Sequence, residues 1–210
     1  TDAAVGKVLA ALEASGAAKD TLVLFTSDNG FASYVGVKDL EKQGHFPSGP
    51  LRDYKTSVYE GGHRVAFMAR WPAQVSAGTT CDQLVHQADI IATVADILQT
   101  KLPANAAEDS FNLLPVLLGE ADAPSRPYLL TQAFAGGRTL SIRRGPWKYL
   151  DHPGSGGNRY EGNPGLRPFI LPESAPDSPG HLYNLDTDPG ETRNLYAERP
   201  ELVKEMKALL

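Results

Sequence analysis

Residues 3–14 (AAVGKVLAALEA) place Val5, Val8, Leu9 and Leu12 at helical spacing behind Thr1 or Asp2 as a cap, and Ser15-Gly16 reads as the stop. The next apolar stretch, Thr21–Thr26 (TLVLFT), shows no alternation. That pattern predicts a strand covered on both faces, as in a parallel sheet. A helix followed by a buried strand is half of a βαβ unit, and the strand that should precede the helix is absent. From Gly30 to Tyr59 the chain is mixed and turn-rich, too long for an ordinary connection and so read as a functional loop. Arg64–Trp71 (RVAFMARW) predicts a second strand, stopped by Pro72. A helix is expected over 83–98, with Leu84, Ile91, Val94, Ala95 and Leu98 along its apolar side, and a short helical turn over Leu113–Leu118.

After Pro124–Pro127 the character changes to short strands, Tyr128–Ala133, Arg138–Arg143 and Trp147–Leu150, which predict a small antiparallel sheet. Residues 152–180 are rich in Gly and Pro and read as an irregular excursion. A strand at Leu182–Asn184, a turn at Asp188-Pro-Gly190 and a helix from about Pro200 to Leu210 close the chain. The organisation is therefore an α/β piece over 1–122 followed by an α+β piece over 123–210. The first piece looks incomplete, because a strand as apolar as TLVLFT needs more sheet neighbours than this chain offers.

Composition narrows the class. With 20 Lys+Arg against 25 Asp+Glu the net charge is −5, which argues against a nucleic-acid binder and its basic face. Hydrophobic residues make up 41%, a globular value. The single cysteine, Cys81, excludes an internal disulfide and a cysteine-rich zinc site. No apolar run is long enough to span a membrane.

Two segments could carry chemistry. Ser27-Asp28-Asn29-Gly30 directly follows the apolar strand. Asn-Gly is a strong hairpin signal, so one reading is a plain turn. The other starts from the position at the carboxyl end of a strand, where α/β folds place their sites, and from the adjacent Asp28 and Asn29 oxygens, which suit a hard divalent cation such as calcium. Two ligands do not complete such a shell. The second segment runs from Gly49 to Arg64 and gathers Arg52, Lys55, His63 and Arg64 among glycines that permit close backbone approach. A loop of that type suits an anionic substrate, although Lys55 also fits an ordinary solvated lysine and Glu60-Gly61-Gly62 a simple turn. Other patterns are weaker. Gly154-Ser-Gly-Gly157 lacks the Lys-Ser/Thr of a phosphate loop, and Pro189 breaks the EF-hand likeness of Asp186-Thr-Asp188. His86 reads as helix packing, Trp147-Lys-Tyr149 as strand packing, and His152 and His181 as loop residues left unassigned.

SDNG after an apolar strand, then PLR-x-x-K-x-x-x-YEGG-x-R before a strand ending RWP, resembles the formylglycine-dependent type I sulfatases. The tail HLYNLDTDPGETRNLYAERPELV resembles that family's C-terminal segment, and CDQLVHQADIIATVADIL with AEDSFNLLPVLLG resembles its connecting helices. YEGGHR, Gly44-His-Phe-Pro-Ser48 and the Gly154–Gly157 loop look like arylsulfatase-like bacterial members acting on sulfated carbohydrates. The likeness spans essentially the whole chain. It implies the C-terminal portion of an alkaline-phosphatase-like α/β fold and hydrolysis of a sulfate monoester. It further implies Ca2+ held in part by Asp28 and Asn29, Lys55 contacting the sulfate, and His45, Arg52 and His63 as substrate-binding candidates. The family's Cys-x-Pro-x-Arg nucleophile, oxidised to formylglycine, and its N-terminal Asp-Asp pair are not in these residues. Cys81 lacks the following Pro and Arg. The chain is therefore expected to be a fragment that needs the N-terminal remainder of the domain for turnover, from a periplasmic or secreted protein. A phosphomonoester or phosphonate hydrolase of the same superfamily, or a non-catalytic carbohydrate-binding relic, remain rival readings at this point.

Overall fold

The first fifteen residues fold as their periodicity dictates. In the computed structural model, which describes residues 1–120, 126–133, 139–154, 175 and 177–210, helix α1 spans Asp2–Ala14. It ends at Ser15, with Gly16 at a positive φ of 75°. The Ser155–Gly157 part of the glycine loop, most of the 152–180 excursion, Arg138 at the start of one expected strand, and the 122/123 division lie outside the described residues.

Packing divides the chain into two compact units that interleave along the sequence. One comprises Thr1–Thr26 with Ala66–Pro127, the other Ser27–Val65 with Tyr128–Leu210. In the first unit, β1 (Val23–Thr26) pairs with β2 (Phe67–Arg70) in the register Val23↔Arg70 to Thr26↔Phe67. The pair is antiparallel, against the parallel arrangement expected from the unbroken apolar run. An apolar run reports burial and not direction. Here a connection of forty residues between the strands leaves direction free. Arg70 Nη2 meets Glu13 Oε1 at 2.6 Å, tying β2 to α1.

The expected helix over 83–98 forms only as α4, Asp89–Ile97, and its orientation differs from the apolar pattern. Ile91, Val94 and Leu98 are exposed, whereas Asp89 and Thr93 are buried. The reason is hydrogen bonding. The Asp89 carboxylate accepts from the backbone N–H of His86 (2.8 Å) and of Phe111 (2.9 Å), and Arg126 pairs with it in the same buried position. Thr93 Oγ1 accepts from the Leu113 N–H at 2.8 Å, so the 109–113 segment lies along that polar face. His86 consequently sits ahead of the helix and is exposed. Helix α5 (Leu114–Leu118) closes this unit with Gly119 in a left-handed cap.

In the second unit, β3 (Leu129–Gln132), β4 (Leu140–Arg144), β5 (Trp147–Leu150) and β6 (His181–Asn184) form the expected antiparallel sheet in sequence order. Period-two alternation sorts its side chains. Ile142, Tyr149 and Leu182 pack with Val203 and Met206 of helix α6 (Pro200–Lys207). Leu150 and Tyr183, from the alternate positions, pack with Val58 and Tyr59. The sheet face turned away from α6 is thus the floor under residues 58–60. Within the loop read from Gly30 to Tyr59, a helix missed by the pattern, α2 (Val37–Lys42), buries Val37 and Glu41. A single helical turn, α3 (Glu60–His63), follows it.

Candidate functional site

Ser27–Gly30 is no hairpin, because the strand partner of β1 begins only at Phe67. The segment turns through its own side chains: Ser27 Oγ donates to Asn29 O (3.1 Å) and Asn29 Nδ2 donates to Gly30 O (2.9 Å). Gly30 then docks on α3, its N–H donating to Gly62 O at 3.0 Å. The contact leaves no room for a side chain: a Cβ on Gly30 would stand 1.9 Å from Gly61 O. A Cβ on Gly61 would be 2.1 Å from Asp53 O, and one on Gly62 would be 2.2 Å from Ser57 O. Three glycines therefore let three backbone segments, 27–30, 52–57 and 60–63, touch directly.

Lys55 lies on the middle segment. Its N–H donates to Phe31 O at 2.9 Å, which ties its backbone to the chain two residues beyond Asn29. The flanking residues Asp53 and Thr56 hold positive φ values of 67° and 83°, a costly conformation for non-glycine residues that the surrounding contacts must enforce. Tyr54, between them, is buried against Val37, with its hydroxyl bonded to Glu41 and its ring edge-on to Phe31. The Lys55 ammonium forms no hydrogen bond or ion pair with a described residue. The neighbouring cations differ. Arg52 Nη1 donates to Glu191 O at 2.6 Å and its guanidinium lies 4.3 Å from the Tyr59 ring centroid. His63 Nε2 is 3.1 Å from Val58 O, and burial, followed by the nearby Lys148 charge, pushes its pKa down to about 4 against the pull of Glu60. A neutral ring donating to a backbone carbonyl adds no positive charge to the site. His45 is exposed beyond α2, its N–H closing on Leu40 O. The Lys55 backbone is thus tied to the segment that follows Asp28 and Asn29, while Arg52 and His63 are held in contacts of their own.

Behind α3 lies a charge cluster that the sequence reading did not find. Lys148 Nζ sits 2.9 Å from Glu60 Oε1 and 2.9 Å from Glu191 Oε1, with all three side chains at most 1% exposed. Arg143 Nη1 reaches Glu60 Oε2 at 3.4 Å. The two carboxyls behave oppositely. Burial raises Glu60, but Lys148, His63 and Arg143 overrule it and hold the group down at about 2. Glu191, more deeply buried and facing the Glu60 charge, is pushed up to about 7 despite Lys148. One signal could have revealed the cluster. Lys148 occupies an inward position between Trp147 and Tyr149, and a buried lysine requires an acidic partner. His181, read as a loop residue, instead opens β6 and is buried, its Nδ1 bonded to the hydroxyls of Tyr59 (3.1 Å) and Tyr183 (2.9 Å).

Among the described residues no group of three or more His, Cys, Asp and Glu side chains could hold a metal ion. Asp28 is exposed and Asn29 half-buried, one carboxylate and one amide carbonyl side by side. That donor set fits a hard, oxygen-seeking cation and could supply at most two of the roughly six to eight oxygens that calcium takes.

Residues 1–100 match the family model Sulfatase. The whole chain is 35% identical over 212 aligned positions to an N-acetylgalactosamine-6-O-sulfatase of Bacteroides thetaiotaomicron, covering 39% of that protein. Against arylsulfatase A of Homo sapiens the identity is 30%, over 99% of this chain and 40% of that one. A structure from Bacteroides thetaiotaomicron, solved in work on the metabolism of multiple glycosaminoglycans, matches with a TM-score of 0.78 at 32% identity, over 98% of this chain and 41% of its own. The chain spans about two-fifths of the length of the curated relatives it matches.

Proposed function

The chain belongs to the sulfatase family and has its alkaline-phosphatase-like α/β fold, and on that premise we propose that it is the C-terminal portion of a sulfuric ester hydrolase acting on sulfated carbohydrate. The observation that supports the site assignment is the Lys55 N–H to Phe31 O bond, which ties the Lys55 backbone to the chain two residues beyond Asn29, with no ion pair to its ammonium among the described residues. Asp28 and Asn29 would hold calcium, which when bound supplies positive charge to the sulfate oxygens. The attacking oxygen would come from a formylglycine outside these residues. Lys55 would pair with a sulfate oxygen or with the bridging oxygen, offsetting negative charge there as the sulfur–oxygen bond to the alcohol breaks. Arg52 and His63 support the loop from behind in this scheme. The carbohydrate assignment draws on relatives named for an N-acetylgalactosamine-6-sulfate ester.

The test is steady-state kinetics of the full-length protein on a chromogenic aryl sulfate and on 6-sulfated N-acetylgalactosamine. Lys55→Ala should lower kcat/KM by roughly 10²–10³, the scale of losing one transition-state contact, with an unchanged melting temperature. Lys55→Arg should rescue poorly, since a planar fork does not replace a compact ammonium. Wild-type kinetics for Lys55→Ala would overturn the assignment.

A further inference from the structure

Among the described residues Lys55 is held through its backbone, so its aim depends on what fixes the two ends of its loop. Both ends lead to one residue far along the chain. At one end Arg52 Nη1 donates to the backbone carbonyl of Glu191 at 2.6 Å. At the other, the Glu60 N–H donates to the Glu191 carboxylate at 2.6 Å. The same carboxyl group stands 2.9 Å from Lys148 Nζ, which also binds the Glu60 side chain, so three ionisable groups close a buried ring beneath the loop. Between the two tethers lie the left-handed residues Asp53 and Thr56 on either side of Tyr54-Lys55. Such strained backbone relaxes unless its ends are fixed.

Glu191 is itself rigidly presented. It adopts a positive φ of 52° after Pro189-Gly190. The Asp188 carboxylate accepts from the N–H groups of Thr192 (2.8 Å) and Arg193 (2.9 Å) just beyond it. A Cβ on Gly190 would lie 3.1 Å from Pro50 O, so the turn also touches the chain ahead of Arg52. The turn thus contacts the loop at Pro50, Arg52 and Glu60.

We propose that Glu191 is a positioning residue for Lys55: the Asp188–Arg193 turn clamps both ends of the 52–60 loop and so aims the ammonium at the sulfate. The proposal rests on the reading of Lys55 as the sulfate-contacting residue. Its function is geometric, with no contact between Glu191 and substrate. A shift of about 1 Å in a positioned catalytic group is enough to cost roughly 10² in rate.

A double-mutant cycle in the full-length protein tests it, with kcat/KM on the aryl sulfate as readout. Glu191→Ala should lower kcat/KM by roughly 10–100-fold in the wild-type background and by less than about twofold once Lys55 is already alanine. Glu191→Gln keeps an acceptor for the Glu60 N–H and should recover most of the loss. Should Glu191→Ala fail to fold, Arg52→Met breaks the other tether and enters the same cycle. Additive losses, with Glu191→Ala or Arg52→Met costing the same whether or not Lys55 is present, would overturn the clamp and leave the Lys55 assignment standing. A silent Lys55→Ala would overturn both, and is recognised from the single variant before the cycle is closed.

Discussion

Gly61→Ala adds one methyl group where the structure has none to spare. Gly61 does not hold a positive φ, so alanine is allowed by the backbone and the effect is purely steric. The new Cβ would stand 2.1 Å from Asp53 O and 2.5 Å from Arg52 O, both backbone atoms that cannot rotate away. Carbon and oxygen settle at roughly 3.3–3.6 Å, so the 52–53 backbone must retreat by about 1 Å. The Gly61 N–H to Arg52 O bond of 2.8 Å spans the same gap and would stretch with it. Overpacking of this kind costs about 1–3 kcal/mol. The displaced segment carries Lys55 two residues further on, and a 1 Å error there translates to roughly 10² in kcat/KM. Gly6→Ala is the matched control, since a Cβ there meets nothing within 4 Å. In mid-helix it should stabilise α1 by about 0.5–1 kcal/mol without touching activity. The assay is steady-state hydrolysis of an aryl sulfate by both full-length variants, with thermal melts of the same samples. A Gly61→Ala protein that melts and turns over like the wild type would refute the argument that the glycines set the loop.

Asp28→Ala should abolish tight calcium binding by the full-length protein, and unchanged affinity in calorimetry would remove Asp28 from the metal site. Arg126→Met strands the buried Asp89 carboxylate and should destabilise by about 3–5 kcal/mol in denaturant unfolding, whereas an ordinary surface loss would leave the midpoint in place. His63 has a folded pKa lowered from 6.5 to about 4, so the unfolded chain binds the extra proton first and stability contributed by the neutral ring is lost as pH falls from about 6.5 to 4. Glu191, raised from 4.5 to about 7, acts in the opposite sense, since the folded chain keeps its proton and stability falls as pH rises across that window. The stability difference between the wild type and His63→Gln should therefore move in favour of the variant as pH falls from 7 to 4, and melting profiles that stay parallel for the two proteins would refute the assignment of a neutral, buried His63.

Local pattern determined a large part of this protein. The spacing of Val5, Val8, Leu9 and Leu12 with Ser15-Gly16 was enough for α1, and alternation with turn residues was enough for the four-stranded sheet and α6. SDNG and the PLRDYK loop offered Asp28, Asn29 and Lys55 as candidates from short-range features, and the family resemblance implied their roles. Tertiary structure alone decided the antiparallel pairing of β1 with β2, because apolar composition encodes burial without direction. It also decided which face of α4 is inside. Ile91 and Leu98 supplied the apolar stripe, yet hydrogen bonds from His86, Phe111 and Arg126 to Asp89 turned the polar face inward. The Glu60–Lys148–Glu191 ring joins residues 88 and 131 positions apart, as counted from Glu60. Burial and neighbouring charge hold one carboxyl down at about 2 and push the other up to about 7 around the same lysine. Both quantities belong to the folded surroundings and have no value along the chain, because the dielectric and the partners that set them exist only once distant segments have packed.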